Sequence, residues 1–353
     1  MRQLNSMIVS ALLAGLAAAC NDAPEATGPS PAPGNQAVTT AATTYSVKNL
    51  GTLGGNNSEA MAINNVGQTV GWSQTKSGQT HAFSQHAGTM TDLGALSGGF
   101  SQAIDVNDAG VVVGYSTLLS GAERAVRWQN GTKKSLGTLG GRNSEATGIN
   151  QNGVIVGWSE IKSGDRHAFV YQNGVMKDIG TLGGKTSVAE DISNAGRVVG
   201  GSRTATGEGH AFAWVNGKFQ DLGDAGTGSG DATAINGKIV GIFGPPPDAE
   251  GAELETTQPF IFSAGVFTGF NPRRHTSIPY DVNQDGIVVG GDEDERFDDG
   301  ADAWVRQADG TIQTLPELAD GLDAAHGINK FGTIVGFSQG PDGWLRAVVW
   351  RPM

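Results

Sequence analysis

Residues 281–292 read DVNQDGIVVGGD, with Asp281, Asn283 and Asp285 at alternate positions ahead of Gly286 and Asp292 at position 12. Hard oxygen ligands at alternate positions followed by a glycine turn are what a Ca²⁺-binding loop requires. Against that reading, position 9 is Val289, and six sister stretches make the same turn without this ligand set. Two readings stand, a calcium loop and a plain Asx-stabilised hairpin. Three histidines recur in His-Ala-Phe at His81, His167 and His210. Imidazole is the commonest metal ligand, but each of these lies in a different repeat and opens a strand, which predicts a polar hydrogen-bonding position rather than a shared site. GTLGGKT at 180–186 places three residues, not four, between its first glycine and Gly-Lys, so it does not make a phosphate loop. There is no G-x-S-x-G and no H-E-x-x-H. Arg273, Arg274, His275 and His326 are scattered in sequence and can meet only where a ring of repeats brings them to its centre.

A turn motif that starts at an asparagine and ends in Val-Gly supplies that ring. It occurs seven times, with Asn64, Asn107, Asn150, Ser193, Asn236, Asn283 and Asn329 in its first place. The steps are 43, 43, 43, 43, 47 and 46 residues. Each unit holds four short extended segments rich in Val, Ile, Phe and Trp, separated by glycine turns; in the third they are SEATGIN, GVIVGWS, HAFVYQ and VMKDIG. Helical periodicity is lacking throughout. Four-stranded units of this length, repeated seven times, predict an all-β fold, a seven-bladed β-propeller with four antiparallel strands per blade over residues 45–353. The ends are offset: the first segment, YSVKNLG, is an outer strand alone, and the last unit lacks its outer strand. Pairing the two closes a circle and covers an open edge, whereas a solenoid wants polar caps.

The residue after Val-Gly is aromatic along one arc, Phe337, Trp72, Tyr115 and Trp158. These rings can stack on sugars or on a protein partner's apolar anchors, or can pack between blades. The opposite arc is acidic: Gly244 to Asp302 holds 13 Asp or Glu and three Arg, most of the formal charge of −12. Such loops are either a solvated face or a surface for cations or a basic partner. An acidic chain excludes nucleic acid, which needs clustered Lys and Arg. No cofactor is indicated apart from that open calcium reading, and the body is expected to be monomeric.

The N-terminus reads as an address. MIVSALLAGLAAA (7–19) is too short to span a membrane. It ends at AAAC, which resembles the lipobox of bacterial lipoproteins, with Ala17 where that family usually has Leu. The resemblance implies a signal peptide over 1–19 and a lipidated Cys20, the sole thiol, as the only membrane attachment. Residues 20–44, rich in Pro, Ala and Thr, read as a flexible tether. The Asn after Cys20 favours the outer membrane or cell surface over the inner membrane. The repeats themselves, through His-Ala-Phe, D-L-G-T-L-G-G and I-N-x-x-G-x-V-V-G, resemble the HAF-repeat family of bacterial extracellular proteins. That resemblance implies export and a repeat fold, and supplies no activity. The function expected from sequence is a non-catalytic binding scaffold at the cell envelope, its ligand a glycan or a protein. The alternative is a propeller enzyme acting on polysaccharide or a cyclic ester at the channel mouth.

Overall fold

In a computed structural model of the chain, residues 43–244, 258–270, 277–292 and 302–353 are described. The signal, Cys20, the tether, Arg273, Arg274, His275 and most of the two acidic loops lie outside the described residues. Twenty-eight strands fill the rest, and among the described residues no helix is long and apolar enough to cross a membrane.

The chain folds into a multi-bladed, propeller-like arrangement of antiparallel four-stranded sheets. The first comprises β2 (Gly54–Ile63), β3 (Thr69–Thr75), β4 (Thr80–His86) and β5 (Thr89–Asp92), paired in chain order. The second comprises β6 (Ser101–Val106), β7 (Val112–Thr117), β8 (Glu123–Gln129) and β9 (Thr132–Gly137). The third comprises β10 (Gly140–Ile149), β11 (Ile155–Ile161), β12 (Arg166–Gln172) and β13 (Val175–Gly180). The next eight strands are β14 (Gly183–Ile192), β15 (Val198–Thr204), β16 (Gly209–Val215), β17 (Lys218–Gly223), β18 (Ser229–Asn236), β19 (Lys238–Gly244), β20 (Gln258–Ser263) and β21 (Val266–Gly269). They make two such four-strand sets, joined by one parallel pairing of Gly209 with Ser229. Another sheet contains β22 (Ser277–Val282), β23 (Val288–Asp292), β24 (Ala303–Arg306) and β25 (Ile312–Thr314). In the last, β26 (Asp323–Ile328), β27 (Ile334–Gln339) and β28 (Leu345–Pro352) are completed by β1 (Tyr45–Gly51) from the other end of the chain. That pairing is antiparallel and runs from Tyr45 opposite Pro352 to Gly51 opposite Ala347.

The leading strands of the sets, β2, β6, β10, β14, β18, β22 and β26, pack each on the next, and β26 packs on β2. The apolar core lies between sheets: Val70 and Ala82 of one join Val106, Val112, Val126 and Trp128 of its neighbour. Each leading strand carries a bulge, as between Ala146 and Gly148. The bulge presses its backbone onto the next strand, which explains the glycine of every Val-Gly. A Cβ on Gly157 would run into the carbonyl oxygen of Glu145, and one on Gly71 into that of Glu59.

Candidate functional site

The repeat first builds a frame. In the first four sets a serine early in the inner strand bridges two sheets: Ser101 Oγ accepts from Ala82 N–H at 2.8 Å and donates to the Gly94 carbonyl at 3.0 Å. Ser144 does the same for Ala125 and Gly137, and Ser187 for Ala168 and Gly180. Ser58 bonds Ala347 N–H, which lies 289 residues away. A second set runs along the turns, where Asn64 donates to the Asn107 carbonyl, Asn107 to that of Asn150, and Asn329 back to that of Asn64. Each such asparagine also holds its own turn, as Asn64 Oδ1 accepts from Val66 and Gln68.

On this constant frame the side chains one and three places after the serine vary, and they concentrate acid. Glu59 accepts from the Trp72 indole at 3.0 Å, and Tyr115 OH donates to Gln102 Oε1 at 3.3 Å. Glu145 and Trp158 repeat the pairing in the third sheet. Burial pushes Glu59 up to about 7 despite the indole bond. Burial does the same to Glu145, aided by Glu123 and opposed by the Trp158 indole and Arg166, again to about 7. Burial and then the charges of Asp231, Glu145 and Asp191 raise Glu190 well above the carboxylate range, and burial lifts Asp231 to about 6. On the far side, His326 Nδ1 lies 3.2 Å from Glu59 Oε1 and 3.3 Å from the Ala60 carbonyl, its ring edge-on to Tyr280. Burial lowers His326 to about 4, so it is neutral when Glu59 ionises. The ring contacts the Ala60 carbonyl, and Glu59 lies beside a neutral imidazole rather than in an ion pair, despite the short distance.

One step further along, Asp105, Asp191 and Asp281 sit at the bulges of alternate sheets. Each takes the N–H of its own next residue and that of the following sheet: Val106 and Ile149, Ile192 and Ile235, Val282 and Ile328. The three inter-sheet bonds are all 2.8 Å. Burial raises all three carboxyls, Asp105 to about 7 with help from Asp191. Their side chains keep partial exposure, yet enough protein surrounds them for desolvation to outweigh two backbone donors each. Sequence reasoning missed this ring. Its signal was present as I-D-V-N, E-D-I-S and Y-D-V-N in the even copies, against A-I-N or G-I-N in the odd ones.

The residues singled out from sequence fall as follows. Of the aromatic arc, Tyr115 and Trp158 are 7% and 5% exposed, while Trp72 and Phe337 keep partial exposure. They pack at the sheet junctions, with Phe337 beside His326 and Arg166 over Trp158. The four candidate calcium ligands are not brought together. Asp281 is spent on backbone N–H groups, and Asn283 Oδ1 accepts from Asp285 and Ile287 inside its own turn. Asp292 pairs with Ser277 at the other end of the hairpin. His81, His167 and His210 each bond an aspartate of the same sheet, Asp92, Asp178 and Asp221, at 2.8–2.9 Å. Beside the second acidic loop, Asp302, Glu317 and Asp323 bring carboxylate oxygens within 4.8 Å of one another. A cavity of about 90 Å³, room for a few waters, lies at the turn end of the first and last sheets, between Ile63 and Asn329.

No protein-family model matches the chain, and no curated protein matches it. Solved structures do. The β-propeller domain of the Trilobed protease from Pyrococcus furiosus superposes with a TM-score of 0.53 at 11% identity, covering 84% of this chain and 93% of that one. A puromycin-hydrolyzing peptidase of Mycobacterium tuberculosis gives 0.52 at 13% identity, over 84% of this chain and 52% of its own. An acylaminoacyl peptidase of Pyrococcus horikoshii gives 0.50 at 10%, over 82% and 52%. The chain spans about half the length of these two peptidases. At such identities the likeness is one of fold, and the fold it shows is that of a β-propeller.

Proposed function

We propose that the chain is an exported, lipid-anchored β-propeller that acts as a non-catalytic binding scaffold at the bacterial cell envelope, a member of the HAF-repeat proteins its motifs resemble. In this reading the blades number seven, the β1–β28 pairing fastens the ring, and Cys20 carries the lipid. One observation carries the binding role. The repeat keeps its frame, with serine in five of the seven copies and asparagine in six, yet varies the inward positions Glu59, Gln102, Glu145, Glu190, Asp231, Tyr280 and His326, which gather on the inner strands. Sequence that varies on a constant frame, at the mouth where all blades meet, is the pattern of a recognition surface.

A second reading is favoured by Glu190 and Asp231, two desolvated carboxyls whose charges repel, so that one stays protonated beside the other as in an acid–base device. It makes the mouth the site of a lyase or hydrolase. Screening the intact protein against glycan and peptide arrays, alongside a polysaccharide and cyclic-ester turnover assay, separates the two. Saturable binding without turnover supports the scaffold. Turnover lost in Glu190→Gln overturns it. The anchor is tested by radiolabelled palmitate: Cys20→Ser abolishes labelling, and labelling that persists refutes the lipid attachment.

A further inference from the structure

The repeats provide an internal comparison at one position. In the third sheet, Trp158 and Glu145 face each other across β10 and β11, and Arg166, from the neighbouring β12, lays its guanidinium over the indole with Cζ 4.2 Å from the ring centroid. The first sheet builds the same frame. Trp72 faces Glu59, and Thr80 stands opposite Gln74 just as Arg166 stands opposite Glu160. Around both, the supporting bonds correspond. Asn143 Oδ1 accepts from Glu123 N–H at 3.0 Å, and Asn57 Oδ1 from Leu345 N–H at 3.0 Å. Glu160 accepts from Arg142 and Asn143 N–H, and Gln74 from Asn56 and Asn57 N–H. The difference is the occupant. Thr80 is too short to cover the ring, no described cation lies over Trp72, and Trp72 keeps the partial exposure that Trp158 has lost.

We propose that the Trp72 face and the Glu59 carboxylate form a seat for an external guanidinium, held as Arg166 is held on Trp158. The indole takes the planar cation by cation–π contact, and the carboxylate supplies the opposing charge. Glu59 Oε2 is held by the Trp72 indole N–H, and the His326 ring lies 3.2 Å from its other oxygen. With Leu345 and Gln74 replacing Glu123 and Glu160, this seat is less acidic than the one that holds Arg166. It therefore suits a single cationic group carrying apolar surface, either a small guanidine or the side chain of an arginine in a peptide. This assignment rests on the mouth being a binding surface.

The test is titration of the full chain with agmatine and with a blocked arginine peptide, followed by calorimetry and tryptophan fluorescence, with cadaverine as the non-planar control. One equivalent of agmatine is expected to bind, at least tenfold more weakly to Trp72→Ala. A peptide that binds where agmatine does not identifies the peptide as the source. Thr80→Arg reproduces the third sheet's own solution, so it is expected to fold with a raised melting temperature and to lose agmatine binding. Arg166→Ala is expected to bind a second equivalent. Unchanged agmatine binding in Thr80→Arg overturns the assignment, as does Arg166→Ala capturing agmatine while wild type binds neither probe. Because the Arg166→Ala arm reports only on whether this frame holds a guanidinium, its failure sinks the ligand class without touching the array result that judges the scaffold.

Discussion

Glu145→Gln should make the protein more stable at pH 8 and leave it unchanged near pH 4.5. Burial raises the Glu145 carboxyl from 4.5 to about 7. A folded-state value above the unfolded one means that the favourable protonated form is fully held below pH 4.5, and its contribution is lost as pH rises through 7. Glu145 keeps partial solvent exposure but is enclosed by protein, and the difference corresponds to on the order of 3 kcal/mol at most at pH 8. Glutamine keeps an oxygen for the Trp158 indole and carries no charge, and the second sheet already uses Gln102 at this place against Tyr115. Arg166 loses one carboxylate neighbour but keeps Glu123, which limits the offsetting cost. At about 2 °C per kcal/mol for a body of this size, the gain at pH 8 is on the order of 5 °C. The wild type should itself melt highest near pH 5, because Glu59 and Asp105 are raised in the same sense. Below that, Glu160 and Asp224, which backbone and side-chain donors lower, lose their contribution as they protonate. Scanning calorimetry from pH 4.5 to 8.5 at constant ionic strength reads both effects. A wild-type melting temperature that climbs from pH 5 to 8, or a Gln variant less stable at pH 8, refutes the desolvated-carboxyl account.

Ser58→Ala strands the buried Ala347 N–H and the Gly51 carbonyl; a loss of about 1–3 kcal/mol in urea unfolding is expected, and no loss would show the inter-sheet bridge to be idle. Removing residues 45–51 bares the β28 edge and the core around Tyr45 and Trp350. The melting temperature should fall by many degrees and the protein should associate through the exposed strand, so an unchanged melt would mean that the ring is fastened elsewhere. Asp281→Ala removes the acceptor for Val282 and Ile328 N–H, and should lower the melting temperature equally with and without millimolar calcium. A calcium-dependent rise in the melting temperature of the wild type that the variant lacks would restore the calcium loop.

The fold was legible because its signals are local and repeated. Asn150 and Gly153 make a turn whose geometry needs an Asx side chain and a positive φ, and the Val-Gly glycine is dictated by the strand crossing it. The offset of the end strands announced that YSVKNLG and LRAVVWRP belong to one sheet. The site was harder. Trp72, Tyr115 and Trp158 could be placed on a common arc from spacing, but whether they faced solvent depended on what lies across each junction. Arg166 on Trp158, or its absence at Thr80, is a matter of a single residue in the next strand. At Asp281 and Asn283 the spacing of oxygen atoms in the sequence does not reveal that backbone N–H groups bond to them in the fold.

The near-identity of residues 49–72 and 135–158 has a structural reason in this ring of carboxyls. Those stretches begin the first and third sheets, two apart rather than one, because odd and even sheets do different work. An even sheet contributes the aspartate; the odd sheet after it contributes a small residue, Gly148, Ala234 or Gly327, and offers its bulge N–H to the aspartate behind. Three aspartates serve the inner strands β6, β10, β14, β18, β22 and β26, while β2, which packs on β26, has no described aspartate to meet Ile63. At that seam the structure changes: the cavity beside Ile63 opens, and His326 reaches over to the Ala60 carbonyl and to Glu59. The one junction that the alternating clasp leaves unmet is thus the one where an unrepeated histidine, a buried carboxyl and a partly exposed tryptophan come together.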